Sequence, residues 1–207
     1  MATQQLDAWT GKFGDDYVER NNMQASNLKN QIIGWSRILG CLPFEPPKSI
    51  LEVGANIGHN LRALSHISDA ALYAIEPNDK ARGTLSQSGF IKPQNVIKAT
   101  AFDIPLADNT VEMAFTSGVL IHIAPENLLK ACSEMHRVAS KYIVCREYFA
   151  TEPEAKNYRG HDGLLFKRDF GGFWLDNFPD LELVDYGFQW YRVTGLGDLT
   201  WWVFRKR

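Results

Sequence analysis

The sequence predicts a doubly wound α/β fold of seven strands, mostly parallel, closed by a C-terminal antiparallel pair. Three observations predict it. Between residues 49 and 147, short apolar runs alternate with segments of helical spacing, the rhythm of a parallel sheet with helices on both faces. The first apolar run ends on glycine and opens directly into a helix. The last two apolar runs are joined by a gap too short for a crossover helix, so they pair antiparallel. With 207 residues the chain is long enough for one domain and one ordinary core.

The elements follow in order. Residues 1–46 read as a helical preface, a lid set before the sheet. A short polar helix is expected from Asp15 to Asn22, with Phe13 and Tyr17 four apart, and a longer one from Ser26 to about Leu39. Ile32, Trp35, Ile38 and Leu39 form the longer helix's apolar stripe, and Gly40 stops it. Pro43, Pro46 and Pro47 make the linker. The domain proper then runs from 47 to 207. Strands are expected at Ser49–Val53, Ala71–Ile75, Val96–Ile97, Val111 to Thr116 and Tyr142 to Glu147. Helices alternate with them at Ile57 to Ser65, Asp79 to Gln87 and Pro125 to Val138, the last with proline in its first turn. Residues 150–163 are polar, with Pro153, Gly160 and Gly163, and read as a loop on the substrate side. A helix from Lys167 to Phe178 and strands at Leu181 to Phe188 and Leu199 to Arg205 finish the chain.

Composition narrows the function. Lysine and arginine total 22 against 24 aspartate and glutamate, so a dominant electrostatic grip on nucleic acid is disfavoured. Three cysteines, Cys41, Cys132 and Cys145, lie far apart and contain no Cys-x-x-Cys pair, which argues against a disulfide scaffold or a metal site. No apolar run approaches the roughly 20 residues of a membrane helix, and the first residues lack the order of a secretory signal. The expectation is a cytoplasmic protein without membrane or nucleic-acid partners.

The stretch Leu51-Glu-Val-Gly-Ala-Asn-Ile-Gly58 carries most of the chemistry. It ends a strand, turns on Gly54, passes Asn56 and starts a helix after Gly58, where free N–H groups gather. A dinucleotide would call for G-x-G-x-x-G to bring amides to a pyrophosphate. That spacing is absent. S-adenosyl-L-methionine has no phosphate and carries a sulfonium and an ammonium, which Glu52 can complement; otherwise Glu52 bonds a neighbouring loop. Glu76, with Pro77 beside it, ends the second strand, where a carboxylate can accept both ribose hydroxyls. Phe102 can pack on an adenine. Asp103 can accept from the adenine amino group or cap the turn at Pro105. Ser117 and Gly118 end the fourth strand, beneath the methionine part. These signals follow successive strands and converge on one crevice at their carboxyl ends.

The chain at this point resembles the class I S-adenosylmethionine-dependent methyltransferases, with Glu52 to Gly58, Ile75-Glu76 and Thr116 to Ile121 where that superfamily keeps its motifs, departing from it at Asn56. Their sheet is Rossmann-like and seven-stranded. Trp9 to Asn21, Gly118 to Leu128, Tyr158 to His161 with Leu165 to Phe170, and Leu183 to Phe188 resemble, more narrowly, the methylases associated with pseudaminic acid biosynthesis. The resemblance implies methyl transfer from S-adenosyl-L-methionine to a small-molecule acceptor, sugar-related, with an acidic sugar among the candidates. The alternatives are another natural-product amine or hydroxyl, or a protein that binds the cofactor without turnover.

Methyl transfer is in-line displacement at an activated carbon, so orientation and water exclusion matter most. Trp9, Phe13 and Tyr17 suit a lid, and Arg20 and Asn21 can reach a cofactor carboxylate. His122 lies just past the fourth strand with a pKa class suited to base work near neutrality, or it is a packed histidine. Tyr148, at the end of the fifth strand, positions an acceptor or packs. Arg159 can grip an acid in a bidentate way, with His161 and Lys167 nearby, or the three solvate a surface loop. His59 and His66 are expected in solvent.

Overall fold

The computed structural model describes residues 3–21 and 25–207. Three helices precede the sheet: α1 (Gln4–Thr10), α2 (Lys12–Arg20) and α3 (Ala25–Gly40). The preface thus holds one helix more than its periodicity suggests. Thr3 caps α1, its hydroxyl accepting from the Leu6 N–H at 3.1 Å. No residue of α1 is buried, which is why its apolar positions carry no core-like stripe. The end expected for α2 at Asn22 lies outside the described residues.

The sheet follows the expected order of elements: β1 (Ser49–Val53), α4 (His59–Leu64), β2 (Ala71–Ile75), α5 (Asp79–Ser86), β3 (Val96–Ile97), β4 (Val111–Ser117), α6 (Pro125–Val138) and β5 (Ala139–Glu147). Four of five residues in β1 are buried, and β5 is buried over its last six, so these strands read as continuous apolar runs rather than alternations. After β5 come β6 (Glu154–Tyr158), β7 (His161–Lys167), α7 (Phe170–Asn177), β8 (Leu181–Gln189), the single turn α8 (Tyr191–Thr194) and β9 (Leu199–Lys206). The strand order is β3-β2-β1-β4-β5-β9-β8, with β1, β2, β3, β4 and β5 parallel and β9 antiparallel to both neighbours. This is the Rossmann-like seven-stranded sheet that the alternation predicts.

One expectation is corrected. The polar stretch 150–163 is not an open loop: it holds β6 and the start of β7, a two-stranded antiparallel hairpin. Arg159 and Gly160 form its two-residue turn, both left-handed at φ 54° and 86°, which is the backbone such a tight turn needs. The Asn157 carboxamide oxygen accepts from the Gly160 N–H at 2.9 Å. Polar residues dominate because most of the hairpin faces water, and only Leu164 and Leu165 are buried. The hairpin takes Lys167, so α7 begins at Phe170, three residues late.

Alternate residues of the strands feed two cores. Leu51, Val53, Ile143 and Cys145 pack with α6 and α7 on one face. Ile50, Phe115, Tyr142 and Val144 pack with α3, α4 and α5 on the other. Trp35 of α3 is fully enclosed there, 4.4 Å from the Phe115 ring. No helix among the described residues is long and apolar enough to cross a membrane.

Candidate active site

A cavity of about 370 Å³ opens at the carboxyl ends of β1, β2, β4 and β5, within the size range of small-molecule sites. Gly54, Asn56 and Gly58 all have positive φ, at 77°, 49° and 82°, so the turn after β1 coils back on itself. The Gly54 and Ala55 N–H groups both donate to the Ile75 carbonyl, at 2.8 and 3.1 Å, tying this turn to the end of β2. A Cβ on Gly54 would meet Val119 Cγ2 at 2.7 Å, and one on Gly58 would meet Leu85 Cδ1 at 2.4 Å. Both glycines therefore make room for protein neighbours. Gly54 lines the cavity and Gly58 does not.

Glu76 sits at the rim of this turn, buried. Its Oε2 accepts from the Asn56 N–H at 2.6 Å and its Oε1 from the Asn78 N–H at 2.8 Å. Burial outweighs those bonds and pushes its carboxyl up to about 7. Each carboxylate oxygen can still accept a further bond. Pro77 lies beside it on the wall, and Phe102 closes the next side with Thr100 and Ala101. Asp103 is exposed in a tight turn bridged to Thr100 and does not line the cavity.

The floor holds ionisable side chains. Glu52 is 1% exposed and accepts from the Asn60 amide at 2.7 Å through Oε1, while Oε2 has no partner. Desolvation pushes its carboxyl up to about 8. Asn60 also accepts from the Trp35 indole N–H at 3.1 Å and from Arg146 at 3.3 Å. Arg146, also 1% exposed, donates to Gln31 and Gln189 as well, at 3.0 and 2.9 Å. Ser117 and Gly118 complete this floor from the end of β4. Buried Glu147 holds the next turn, its Oε1 accepting from the Val119 and Leu120 N–H groups at 3.1 and 3.2 Å. Burial raises its carboxyl to about 7.

That turn delivers His122 to the cavity wall. Its Nδ1 lies 2.5 Å from the Leu164 carbonyl. A carbonyl only accepts, so Nδ1 carries the hydrogen and Nε2 keeps a lone pair. Burial lowers the imidazole to about 4, so His122 is neutral at physiological pH, not poised near neutrality as its residue type suggests. Its ring packs 4.6 Å from Trp9 and 5.0 Å from Tyr158.

The preface covers the opening. Leu6 and Trp9 of α1, Tyr17 of α2 and Asn21 line the cavity. The Asn78 amide donates to the Trp9 carbonyl at 3.1 Å and to Asp15 at 2.9 Å, pinning α1 and α2 to the end of β2. Gln5 donates to the Gly163 carbonyl at 2.9 Å, pinning α1 to the hairpin. Arg20 stands exposed, its guanidinium 5.8 Å from the Tyr17 ring centre and off the cavity wall.

The remaining expected residues separate. Tyr148 lines the cavity and also a second concavity of about 560 Å³, where Lys167 lies with its ammonium 5.4 Å from the Tyr148 ring. Arg159 is exposed at the hairpin tip, and His161 packs 5.3 Å from Phe13; neither lines either of these two concavities. His59, expected in solvent, is half-buried on the cavity wall, and burial lowers its pKa. Sequence reasoning missed Asn60, Asn78 and Arg146. The charge pair Arg146-Glu147 at the end of an apolar run was a visible signal, since a charge there must find a partner or a ligand.

Comparison with known proteins bears on this geometry. A methyltransferase-domain family model matches residues 51–142, the stretch from β1 into β5 that builds the cradle. No curated protein matches at a significant level. Among solved structures, an S-adenosylmethionine-dependent methyltransferase from Leishmania major aligns at a TM-score of 0.72 and 18% identity, over 98% of this chain and 87% of that one. The 1,6-didemethyltoxoflavin-N1-methyltransferase of Burkholderia thailandensis, solved with 1,6-didemethyltoxoflavin and S-adenosylhomocysteine, aligns at 0.69 and 13%, over 98% and 86%. Magnesium protoporphyrin IX methyltransferase from Synechocystis, solved with S-adenosylmethionine, aligns at 0.69 and 12%, over 100% and 99%. The donor set fits that cofactor: two carboxylates on the wall, one with an unpartnered oxygen, suit its hydroxyls and positive charges. Residues 51–142 match a methyltransferase domain, and the chain has the Rossmann-like methyltransferase fold, with the cradle at the carboxyl ends of its strands.

Proposed function

We propose that this protein methylates a small-molecule acceptor, sugar-related and acidic, with α1 and α2 of the preface acting as a lid over the cofactor. The observation that carries this reading is Tyr148, which borders both the cofactor cavity and the concavity that contains Lys167. A small acceptor lying across Tyr148 has one end beside the cofactor and a carboxylate beside a cation. Phe188 and Tyr191, 58% and 59% exposed, offer apolar faces for a sugar ring there. The resemblance to methylases associated with pseudaminic acid biosynthesis supports the same acceptor class. A cytoplasmic setting belongs to this reading, in keeping with the three free cysteines.

Bound in the cradle, S-adenosylmethionine supplies a methyl group already activated on a sulfonium. Glu76 holds the ribose, and Glu52 offsets positive charge at the methionine end. The lid, Tyr158 and Ile121 exclude water, so little is left to solvate the charge that disperses during transfer. His122 Nε2 takes the acceptor's proton, and Tyr148 orients the acceptor. His122 is a weak base at a pKa of about 4. That observation favours a second reading, in which the acceptor is an amine that arrives as its free base and needs no strong base.

Calorimetric titration with S-adenosylmethionine, S-adenosylhomocysteine and NADH tests the cofactor first. Micromolar binding of the sulfur compounds alone is expected. Acceptor screening, read as S-adenosylhomocysteine release, then begins with nine-carbon acidic sugars. Turnover on neutral amines with none on acids would overturn the acidic acceptor, and no turnover on any acceptor would favour a binding protein.

A further inference from the structure

The concavity beside the cavity holds one cation and one anion, from elements far apart in the chain. Lys167 ends β7, and Asp198 lies in the turn between α8 and β9. Among the described residues neither forms an ion pair, with the other or elsewhere. A flexible stem lets a lysine follow a carboxylate, yet the Lys167 ammonium lies 5.4 Å from the Tyr148 ring instead. Asp198 is held as well, its Oδ1 accepting from the Tyr191 N–H at 2.7 Å. The turn that carries it comes up against the same tyrosine, since a Cβ on Gly197 would stand 4.0 Å from Tyr148 Oη. Burial chiefly raises that phenol, and Asp198 is among the charges that add to the shift. Two opposite charges therefore share one ring without neutralising each other. An acid that offered only its carboxylate would be attracted by Lys167 and repelled by Asp198. An acid that also carries hydroxyls turns Asp198 from a repelling charge into a partner, because a carboxylate accepts two hydroxyls at once. Phe188 and Tyr191 line the same concavity and suit the apolar faces of a saturated ring.

We propose that Asp198 reads hydroxyls on the acceptor while Lys167 takes its carboxylate, so that the protein selects a polyhydroxylated acid over an aromatic or aliphatic one. This rests on the small acidic acceptor proposed above and narrows its class. Lys167 alone would accept any acid. A repelling charge set beside an attracting one is what discriminates between acids of equal charge. Asp198 borders the concavity and not the cofactor cavity, so it sets specificity and takes no part in the chemistry. Its bond to the Tyr191 N–H fixes the carboxylate and leaves Oδ2 for the ligand.

The test is calorimetric binding to the full chain saturated with S-adenosylhomocysteine. Three probes are compared: N-acetylneuraminic acid as a nine-carbon acidic sugar, its methyl ester, which keeps the hydroxyls and loses the charge, and cyclohexanecarboxylate, which keeps the charge and has no hydroxyls. The wild-type protein is expected to bind the sugar acid about tenfold more tightly than cyclohexanecarboxylate, the scale of hydrogen bonds to a charged group. Asp198→Asn keeps an oxygen for the Tyr191 N–H. It is expected to weaken the sugar acid and its ester by about threefold to tenfold, the range for charged contacts at an open surface. Cyclohexanecarboxylate should hold or tighten in that variant, because a repelling charge is gone. Lys167→Met is expected to give the converse, weakening both acids and sparing the ester. Equal wild-type affinity for the sugar acid and cyclohexanecarboxylate overturns the proposal, whether or not the variants fold. Equal weakening of all three probes in Asp198→Asn also overturns it, because Asp198 then only holds its turn. Binding of none of the three by the wild-type protein overturns the acidic acceptor on which the proposal rests.

Discussion

Glu76 serves the protein and the proposed ligand at once. Its two oxygens hold the Asn56 and Asn78 N–H groups, and the residue lines the cavity with lone pairs to spare. Glu76→Ala is therefore expected to reduce S-adenosylhomocysteine affinity by about tenfold to hundredfold, the scale of one lost charge-assisted bond. Glu76→Gln should lose less, because one oxygen survives. Unchanged calorimetric affinity in Glu76→Ala would remove the ribose role. His122 differs in kind, since its Nδ1 is committed to Leu164 and only Nε2 is free. His122→Ala should lower kcat at least tenfold, in the range of lost acid–base assistance, with little change in S-adenosylhomocysteine affinity. A fully active variant would take His122 out of the chemistry. Gly58, expected with the cofactor loop at the start of α4, lies off the cavity, and its missing side chain accommodates Leu85 and Phe90.

At the scale of elements, the lid depends on a few polar ties. Asn78 caps α5 by accepting from the Ala81 N–H at 2.8 Å, and the same side chain donates to Trp9 and Asp15. One residue thus links the sheet, α5 and both lid helices. Asn78→Ala is expected to cost about 1–2 kcal/mol of stability through the lost cap and bonds. It should also speed hydrogen exchange in α1 and α2 more than in β1 or β5. Uniform exchange across lid and sheet would mean that the lid is held by its aromatic packing alone. The hairpin β6–β7 is the other wall of this cover, meeting α1 through Gln5 and Phe13 through Tyr158 and His161. Its turn was legible only in hindsight: Arg159-Gly160 is less telling than Asn-Gly, and the signal lay partly in Asn157, whose side chain completes the turn.

The whole molecule concentrates raised carboxyls under one site. Glu52, Glu76 and Glu147 sit at about 8, 7 and 7, all above the ordinary 4.5. The native state therefore holds protons that the unfolded chain has released. Stability is greatest at the acid end of that interval and falls as pH rises from about 4.5 to 8. His122, lowered to about 4 from 6.5, works the other way below pH 6.5, as do His59 and His136, which burial also lowers. Above that pH only the carboxyls oppose stability, and the thermal midpoint of the ligand-free protein is expected to drop between pH 6.5 and 8. S-adenosylhomocysteine should flatten that slope, because its ammonium favours ionised Glu52. A midpoint that rises over the same interval would contradict the buried state of these carboxyls.

Local pattern by itself determined the sheet, its direction changes and the turn after β1. Burial on both faces makes a parallel strand apolar throughout, and a short gap forbids a crossover, so these features are written in adjacent residues. The same locality located the carboxylates at the ends of β1 and β2. Tertiary structure alone decided which charges meet. Arg146 reaches Gln31 and Gln189 across separations of 115 and 43 residues, and Asn60 across 86. It also decided that Arg159 stands exposed off the cavity wall, that Lys167 shares Tyr148 with the cavity, and that His122 is neutral. Charge, burial and protonation depend on what the rest of the chain brings near, and spacing along the sequence does not carry that information.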